Sequence, residues 1–399
     1  MMEIKKISIK SFKTLNDVEF EPGRVNVFVG ANGAGKTTIL EAIGLLSAAL
    51  SDRIDNNSMQ RKGIRLSVPK LYKSNFADIK KAKFISFALQ CIQQENRFDY
   101  HVNLNIPNES ELAKRDTWRY HSERFAQNDE QLAGRSGASR AEFDSCIGLY
   151  LQEPDLAKSM AVDIVEALKD YAIYQPNTQT LRGTQIDLYQ NSPLGLCGGR
   201  LAEAIDELLH TNEDGDTLLG DMLLDDVLEL IEWASEIKIA APKKSNINSS
   251  VPTTRQLIEF QDRFMSAGLP FTAYDASEGG LYVLFLLCLA LHNNTPPIFA
   301  VDSFDHAMHP RLAQATTRVF CDSVLRNGKT AFVTTHNPLV LDGLNLSDDR
   351  IRLFAVNKSR KNGHTTLQRI QVTEEMISRG ASLSRLWIEG RLGGVPNLL

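Results

Sequence analysis

The chain has 399 residues, 43% hydrophobic and 23% charged, with 44 Lys and Arg against 49 Asp and Glu for a net charge of -5. That apolar share suffices for a sizeable core and excludes wholesale disorder, and the length leaves room for two or three domains or one large one with insertions. The slightly acidic total excludes a uniformly basic nucleic-acid coat but not a local basic patch.

Residues 4–9 alternate apolar with polar side chains, as a half-buried strand does. Val18, Phe20 and Pro22-Gly23 suggest a second strand and a turn, and residues 25–29 form a short apolar run ending at Gly30, a buried strand. Helical spacing follows over residues 37–49. Residues 52–83 hold nine basic and three acidic residues, a net of +6. Two strand-like stretches, 84–92 and 98–106, flank a turn at Gln94-Glu95-Asn96. Residues 108–139 are polar and weakly patterned, which predicts surface loops with short helices inside a variable insertion of about 108–158. Residues 201–237 carry twelve acids and no Lys or Arg beside an apolar stripe (Leu201, Ile205, Leu208, Val227), predicting amphipathic helices with a solvated acidic face. The rest of the chain then carries +7, so the total conceals a dipolar molecule. Residues 243–254 read as a polar linker between helical segments.

The five cysteines (Cys91, Cys146, Cys197, Cys288, Cys321) are dispersed without metal-type spacing and read as free thiols in a reducing compartment. The N-terminus lacks the apolar core of a signal peptide, and the longest uncharged apolar run, residues 281–291, is too short to span a bilayer. The expectation is a soluble cytoplasmic protein.

Chemistry concentrates in four places. Gly30-Ala31-Asn32-Gly33-Ala34-Gly35-Lys36-Thr37 fits the phosphate-loop pattern Gly-x4-Gly-Lys-Ser/Thr. Its glycines let backbone N–H groups turn toward phosphate oxygens, Lys36 supplies charge, and the Thr37 hydroxyl suits Mg2+. Asn32, Gly33, Gly35, Lys36, Thr37 and Thr38 are the nucleotide-binding candidates, and a chance match in a chain of this length is on the order of one per cent. Residues 298–302 form an apolar strand ending in Asp302, a second candidate ligand for Mg2+. His336 follows the next apolar strand, where it could contact a terminal phosphate or be merely structural. Ser277-Glu278-Gly279-Gly280 precedes the apolar helix at 281–291, either as an anion site or as an ordinary N-cap.

This order resembles the ABC-type ATPase heads of the RecF/SMC/OLD group. The opening Ile7-Ser8-Ile9-Lys10-Ser11-Phe12-Lys13, the segment Asp302-Ser303-Phe304-Asp305-His306-Ala307-Met308-His309-Pro310 and the switch-like Thr335-His336-Asn337-Pro338 carry the likeness. It implies an α/β phosphate-loop NTPase of the ABC-ATPase head type: a mixed sheet core, an antiparallel β subdomain and a helical lobe. The implied organisation is an ATPase lobe at 1–190, a helical lobe at 191–280 ending in the signature motif, and the second half of the core at 281–399. The resemblance further implies that Ser277 and Gly279 cap ATP bound to a second subunit, giving a homodimer or higher homo-oligomer. It makes Gln175, in Ile173-Tyr174-Gln175-Pro176, the candidate for the Mg2+-bound water, although a surface-loop role stays open.

One departure matters. Relatives usually carry a catalytic glutamate where this chain has Ser303, and a serine cannot accept a proton from water at neutral pH. The expectation is slow ATP hydrolysis, with Asp305 as substitute base beside Ser303 and His336. No long coiled coil divides the head, and only 63 residues follow His336, too few for an appended nuclease domain. The His309-Pro310 segment and residues 386–396 look most like stand-alone ATPases of prokaryotic antiphage defence systems (Septu-, retron- and PARIS-like), and that resemblance implies a separate effector, often a nuclease, as the partner. Three readings remain: an ATP-dependent regulator of such an effector, a hydrolysis-deficient nucleotide-binding scaffold, and a RecF-like repair ATPase binding duplex DNA through residues 52–83.

Overall fold

The computed structural model describes residues 2–51, 53–106, 118–136, 146, 159–191, 193–242, 246–265, 270–371 and 382–394. Its centre is a six-stranded sheet in the order Thr365–Ile370, Ile351–Lys358, Val25–Gly30, Thr330–Thr335, Ile298–Val301, Ile173–Tyr174. Only Thr365–Ile370 runs antiparallel to its neighbour. The middle strands are buried along their whole length, which is why they read as continuous apolar runs rather than alternating ones.

Side-chain alternation sends the two faces of this sheet into different cores. Val25, Val27 and Val29 join the helix Glu278–Leu291, from Gly280 onward buried at every residue, and the helix Pro310–Arg326. Phe28 points the other way, stacked with Phe332 and Phe354 at centroid distances of 6.4 and 5.5 Å. That second core holds the helix Lys36–Ser51 between the central sheet and a six-stranded antiparallel sheet built from Glu3–Phe12, Leu15–Phe20, Ile85–Gln93, Asn96–Asn105, Arg119–Gln127 and Glu130–Arg135.

Three expectations need correction. The polar stretch from residue 108 to 139 contains the last two strands of that sheet, joined by Asn128-Asp129, both at positive φ (48° and 70°) as a tight hairpin turn demands. Of the expected insertion, residues 108–117, 137–145 and 147–158 lie outside the described residues. The acidic stretch is not helical throughout: between the helices Leu201–Leu208 and Leu224–Glu229 runs a small meander of Leu209–Thr211, Thr217–Leu219 and Met222–Leu223. Its turns use Gly215 and Gly220 at φ +90° and +65°, left-handed positions that interrupt a helix. Finally, residues 243–254 join two strands, Ala234–Ala240 and Leu257–Asp262, and not two helices. Among the described residues, no helix is long and apolar enough to cross a membrane.

Candidate functional site

Register pairs the strand ends. Val29 opposes Thr335, Val301 opposes Val333 and Tyr174, and Asp302 N–H donates to Tyr174 O at 3.0 Å. The carboxyl ends of four buried strands thus open onto one crevice, the usual ligand position in such sheets. Gly30-Ala31-Asn32-Gly33-Ala34-Gly35 turns there into the helix Lys36–Ser51. Asn32 and Gly33 are exposed at the mouth, and a Cβ added to Gly33 would meet nothing within 4 Å. Gly35 sits at φ +112° with its back against Thr365, where a Cβ would come within 2.5 Å of Oγ1. Thr365 Oγ1 donates to Ala34 O at 2.8 Å, bracing the loop from the edge strand.

Lys36 is 6% exposed, and its Nζ donates to Gly30 O (2.8 Å) and Ala31 O (3.1 Å). Burial pushes its pKa down to about 8, against the pull of Asp302 and Asp305. The ammonium lies 3.5 Å from His336 Nδ1. His336 is in turn held toward its neutral form, first by burial and then by the charge of Lys36.

Asp302 gathers three donors. Thr37 Oγ1 lies 2.9 and 3.1 Å from its two oxygens, Thr334 Oγ1 donates to Oδ1 at 2.6 Å, and Gln175 Nε2 reaches Oδ2 at 3.3 Å. The hydroxyl, carboxylate and amide oxygens of Thr37, Asp302 and Gln175 make a hard donor set that suits Mg2+. Lys36, meeting only carbonyl oxygens and an imidazole, equally suits phosphate. Thr38 is buried on the first turn.

Ser303 is exposed, in the left-handed region at φ +62°, and its N–H donates to Thr334 Oγ1 at 2.9 Å. Asp305 Oδ1 accepts from Thr335 Oγ1 and faces the His336 N–H. Ser277 and Gly279 stand apart: no hydrogen bond among the described residues joins either to the phosphate loop. Ser277 Oγ instead accepts from Trp233 Nε1 (3.1 Å) and Gly280 N–H (3.4 Å). The segment after Gln175 bridges the two regions, because Tyr282 OH donates to Pro176 O at 2.7 Å and the Thr178 hydroxyl to the Glu278 carboxylate.

Sequence reasoning missed Thr334 and the buried Glu41. Glu41 is 0% exposed on its side chain and takes Lys13 Nζ at 2.7 Å and Arg65 Nε at 2.8 Å. Burial works against its charge, yet the hydrogen bonds and charges of Arg65 and Lys13 carry its pKa below the ordinary value. A lone carboxylate in an apolar helix was the available signal. Arg65 also lies close enough to Asp302 to feel its charge.

Residues 25–342 match the family model described as "AAA domain, putative AbiEii toxin, Type IV TA system". Among curated proteins, the DNA replication and repair protein RecF of Pseudomonas fluorescens (strain Pf0-1) is 45% identical over 53 residues, 13% of this chain and 14% of the relative. RecF of Heliobacterium modesticaldum is 50% identical over 54 residues, again 13% and 14%. The chain thus spans about one seventh of the length of these relatives. Among solved structures, an SMC head bound to the C-winged-helix domain of ScpA superposes with TM-score 0.52 at 13% identity, over 94% of this chain and 99% of that one. An SMC head with an extended coiled coil, bound to the C-terminal domain of ScpA derived from Pyrococcus furiosus, gives 0.50 at 12%, over 95% and 99%. At such identities the likeness shows the fold alone, that of an ABC-type phosphate-loop ATPase head.

Proposed function

The chain belongs to the AAA-domain family of the AbiEii type, and on that premise we propose that it is a slow ATPase switch that closes as a dimer over ATP and controls a separate effector. The observation that carries this reading is the meeting of Thr37 with both oxygens of Asp302 beside the buried Lys36. Lys36 and the loop N–H groups take the phosphates; Thr37 and Asp302 hold Mg2+, with Gln175 orienting a water. The metal, when bound, neutralises charge developing on the phosphoryl oxygens. His336, poised neutral, meets the terminal phosphate. Ser277 and Gly279 of a second copy complete the site. Ser303 in place of a carboxylate keeps turnover slow, with Asp305 taking the proton.

Closure shifts a population only through contacts that the open state lacks, so the ATP-bound dimer is the state that presents or restrains the effector. The toxin description of the family supports a place in a defence module, and the likeness to stand-alone defence ATPases implies the separate effector, often a nuclease. Phosphate release by the purified full chain with ATP and Mg2+, with Lys36→Ala as control, tests the enzyme. Release at the level of Lys36→Ala leaves a nucleotide-binding scaffold.

A second reading, a RecF-like ATPase on duplex DNA, has its own support. RecF proteins share 40–50% identity with this chain over short stretches, and Lys80, Lys81 and Lys83 are exposed.

A further inference from the structure

We propose that Trp233 is a positioning residue for Ser277: its indole N–H turns the serine hydroxyl proton outward, toward a phosphate of nucleotide carried by a second copy of this chain. This rests on the reading of Ser277 as the donor that completes the partner's site.

A serine hydroxyl has one proton and two lone pairs, whereas an indole N–H can only donate. Trp233 Nε1 lies 3.1 Å from Ser277 Oγ, and the Gly280 N–H donates to the same oxygen at 3.4 Å. Both lone pairs are therefore committed. The hydroxyl proton is excluded from those two directions and takes the remaining tetrahedral one, on a residue that is itself exposed. An ordinary capping serine uses one lone pair for the helix and leaves its proton free to rotate. The indole removes that freedom.

The ring is itself fixed. Its centroid stands 5.1 Å from both Phe260 and Phe271, and the Trp233 carbonyl accepts from Arg263 N at 3.0 Å. Gly280 makes the approach possible: a Cβ there would sit 3.2 Å from Ile231 Cγ2, 3.3 Å from Ser277 Oγ and 3.6 Å from the indole. The neighbouring Glu278, whose charge would repel a phosphate, is held by the Thr178 hydroxyl. Ser277 also heads the 14-residue helix Glu278–Leu291, whose positive end favours an anion. A proton aimed in advance costs no reorientation when the phosphate arrives, so the indole acts on closure and not on nucleotide capture by one chain.

The test compares the full chain with Trp233→Phe, Ser277→Ala and the double variant. Self-association with ATP and Mg2+ is followed by sedimentation, and binding of a fluorescent ATP analogue is measured at protein concentrations below association. Trp233→Phe, which keeps the aromatic packing, is expected to weaken ATP-dependent association about tenfold, the reach of one hydrogen bond. Single-chain nucleotide affinity should not move, and the double variant should equal Ser277→Ala. The Trp233 indole resonance, in 15N-labelled wild type, should shift on addition of ATP and in Ser277→Ala without it. Association of Trp233→Phe at the wild-type level while Ser277→Ala is impaired overturns the proposal, as does an indole resonance that ATP leaves unmoved. Wild-type association in Ser277→Ala, or no association of the wild type, overturns the reading of Ser277 beneath it.

Discussion

Asp305 Oδ1 accepts the Thr335 hydroxyl at 2.6 Å and faces the backbone N–H of His336 from 3.4 Å. One carboxylate oxygen is thus spent on holding the histidine switch, and the other is left for chemistry. Asp305→Asn keeps an oxygen for Thr335 but cannot accept a proton. It is expected to lower phosphate release about a hundredfold or more, the usual contribution of a general base, with ATP affinity unchanged. Asp305→Ala, which also releases the switch, should fall further. An Asn variant turning over like wild type would confine Asp305 to the tether.

Ser303 holds φ +62°, a conformation that costs a residue with a Cβ about 1 kcal/mol relative to glycine. Ser303→Gly should therefore stabilise the fold by up to about 1 kcal/mol, read as a raised melting temperature. If the hydroxyl orients the attacking water, turnover drops at the same time. A stabilised variant with undiminished phosphate release would take Ser303 out of the mechanism.

The phosphate loop, the strand ending in Asp302 and the Thr-His segment were legible because each sits at the end of a continuous apolar strand. Local pattern and global position agree there. Thr334 was not legible, since its hydroxyl matters only once parallel pairing with Ile298–Val301 lays it against Asp302. Trp233 and Ser277 are 44 residues apart, and no periodicity links an indole N–H to a hydroxyl across that distance. The meander at 209–223 was hidden by an apolar stripe whose spacing suits a helix, while its Asp214-Gly215 turn carried the opposing signal.

Nucleotide affinity should depend on pH through Lys36. Its pKa of about 8 rises when phosphate replaces the loop carbonyls, so above pH 8 binding must take up a proton. Affinity for ATP is then expected to weaken as pH climbs from 8 to 9.5, approaching tenfold per unit. Calorimetry in two buffers of different ionisation enthalpy reads the proton directly. Equal apparent enthalpies at pH 8.5 would contradict it.

Lys329 caps the other end of the signature helix, its Nζ donating to Leu289 O at 3.0 Å and His292 O at 2.6 Å. Burial lowers its pKa from 10.5 to about 8, so between those values the unfolded chain binds more protons. This lysine therefore makes stability rise with pH from about 8 to 10.5. Lys329→Met should flatten that slope in denaturant melts and, by taking the ammonium from Leu289 O while His292 O keeps the Thr295 N–H at 3.1 Å, cost about 1–3 kcal/mol at pH 7. An unchanged slope would assign the pH dependence to other groups.

The basic block divides into spent and available charge. Lys62 is buried, its Nζ on Ser47 Oγ at 2.9 Å, and is spent inside the fold, whereas Arg65 pairs with Glu41 through a side chain that stays 62% exposed. Lys80, Lys81 and Lys83 are exposed, with Lys83 Nζ 5.2 Å from the Phe84 ring centroid. If the chain binds duplex DNA through this block, these three lysines are among its exposed charges and contribute to the contact. Converting all three to Gln should weaken duplex affinity and reduce the log–log salt slope by about 2.7, the value for three neutralised phosphates. Wild-type protein that shows no duplex binding at low salt, with ATP and Mg2+ present, rejects the RecF-like reading. The block would then be a solvated rim, because a surface able to release counterions should bind most tightly under those conditions.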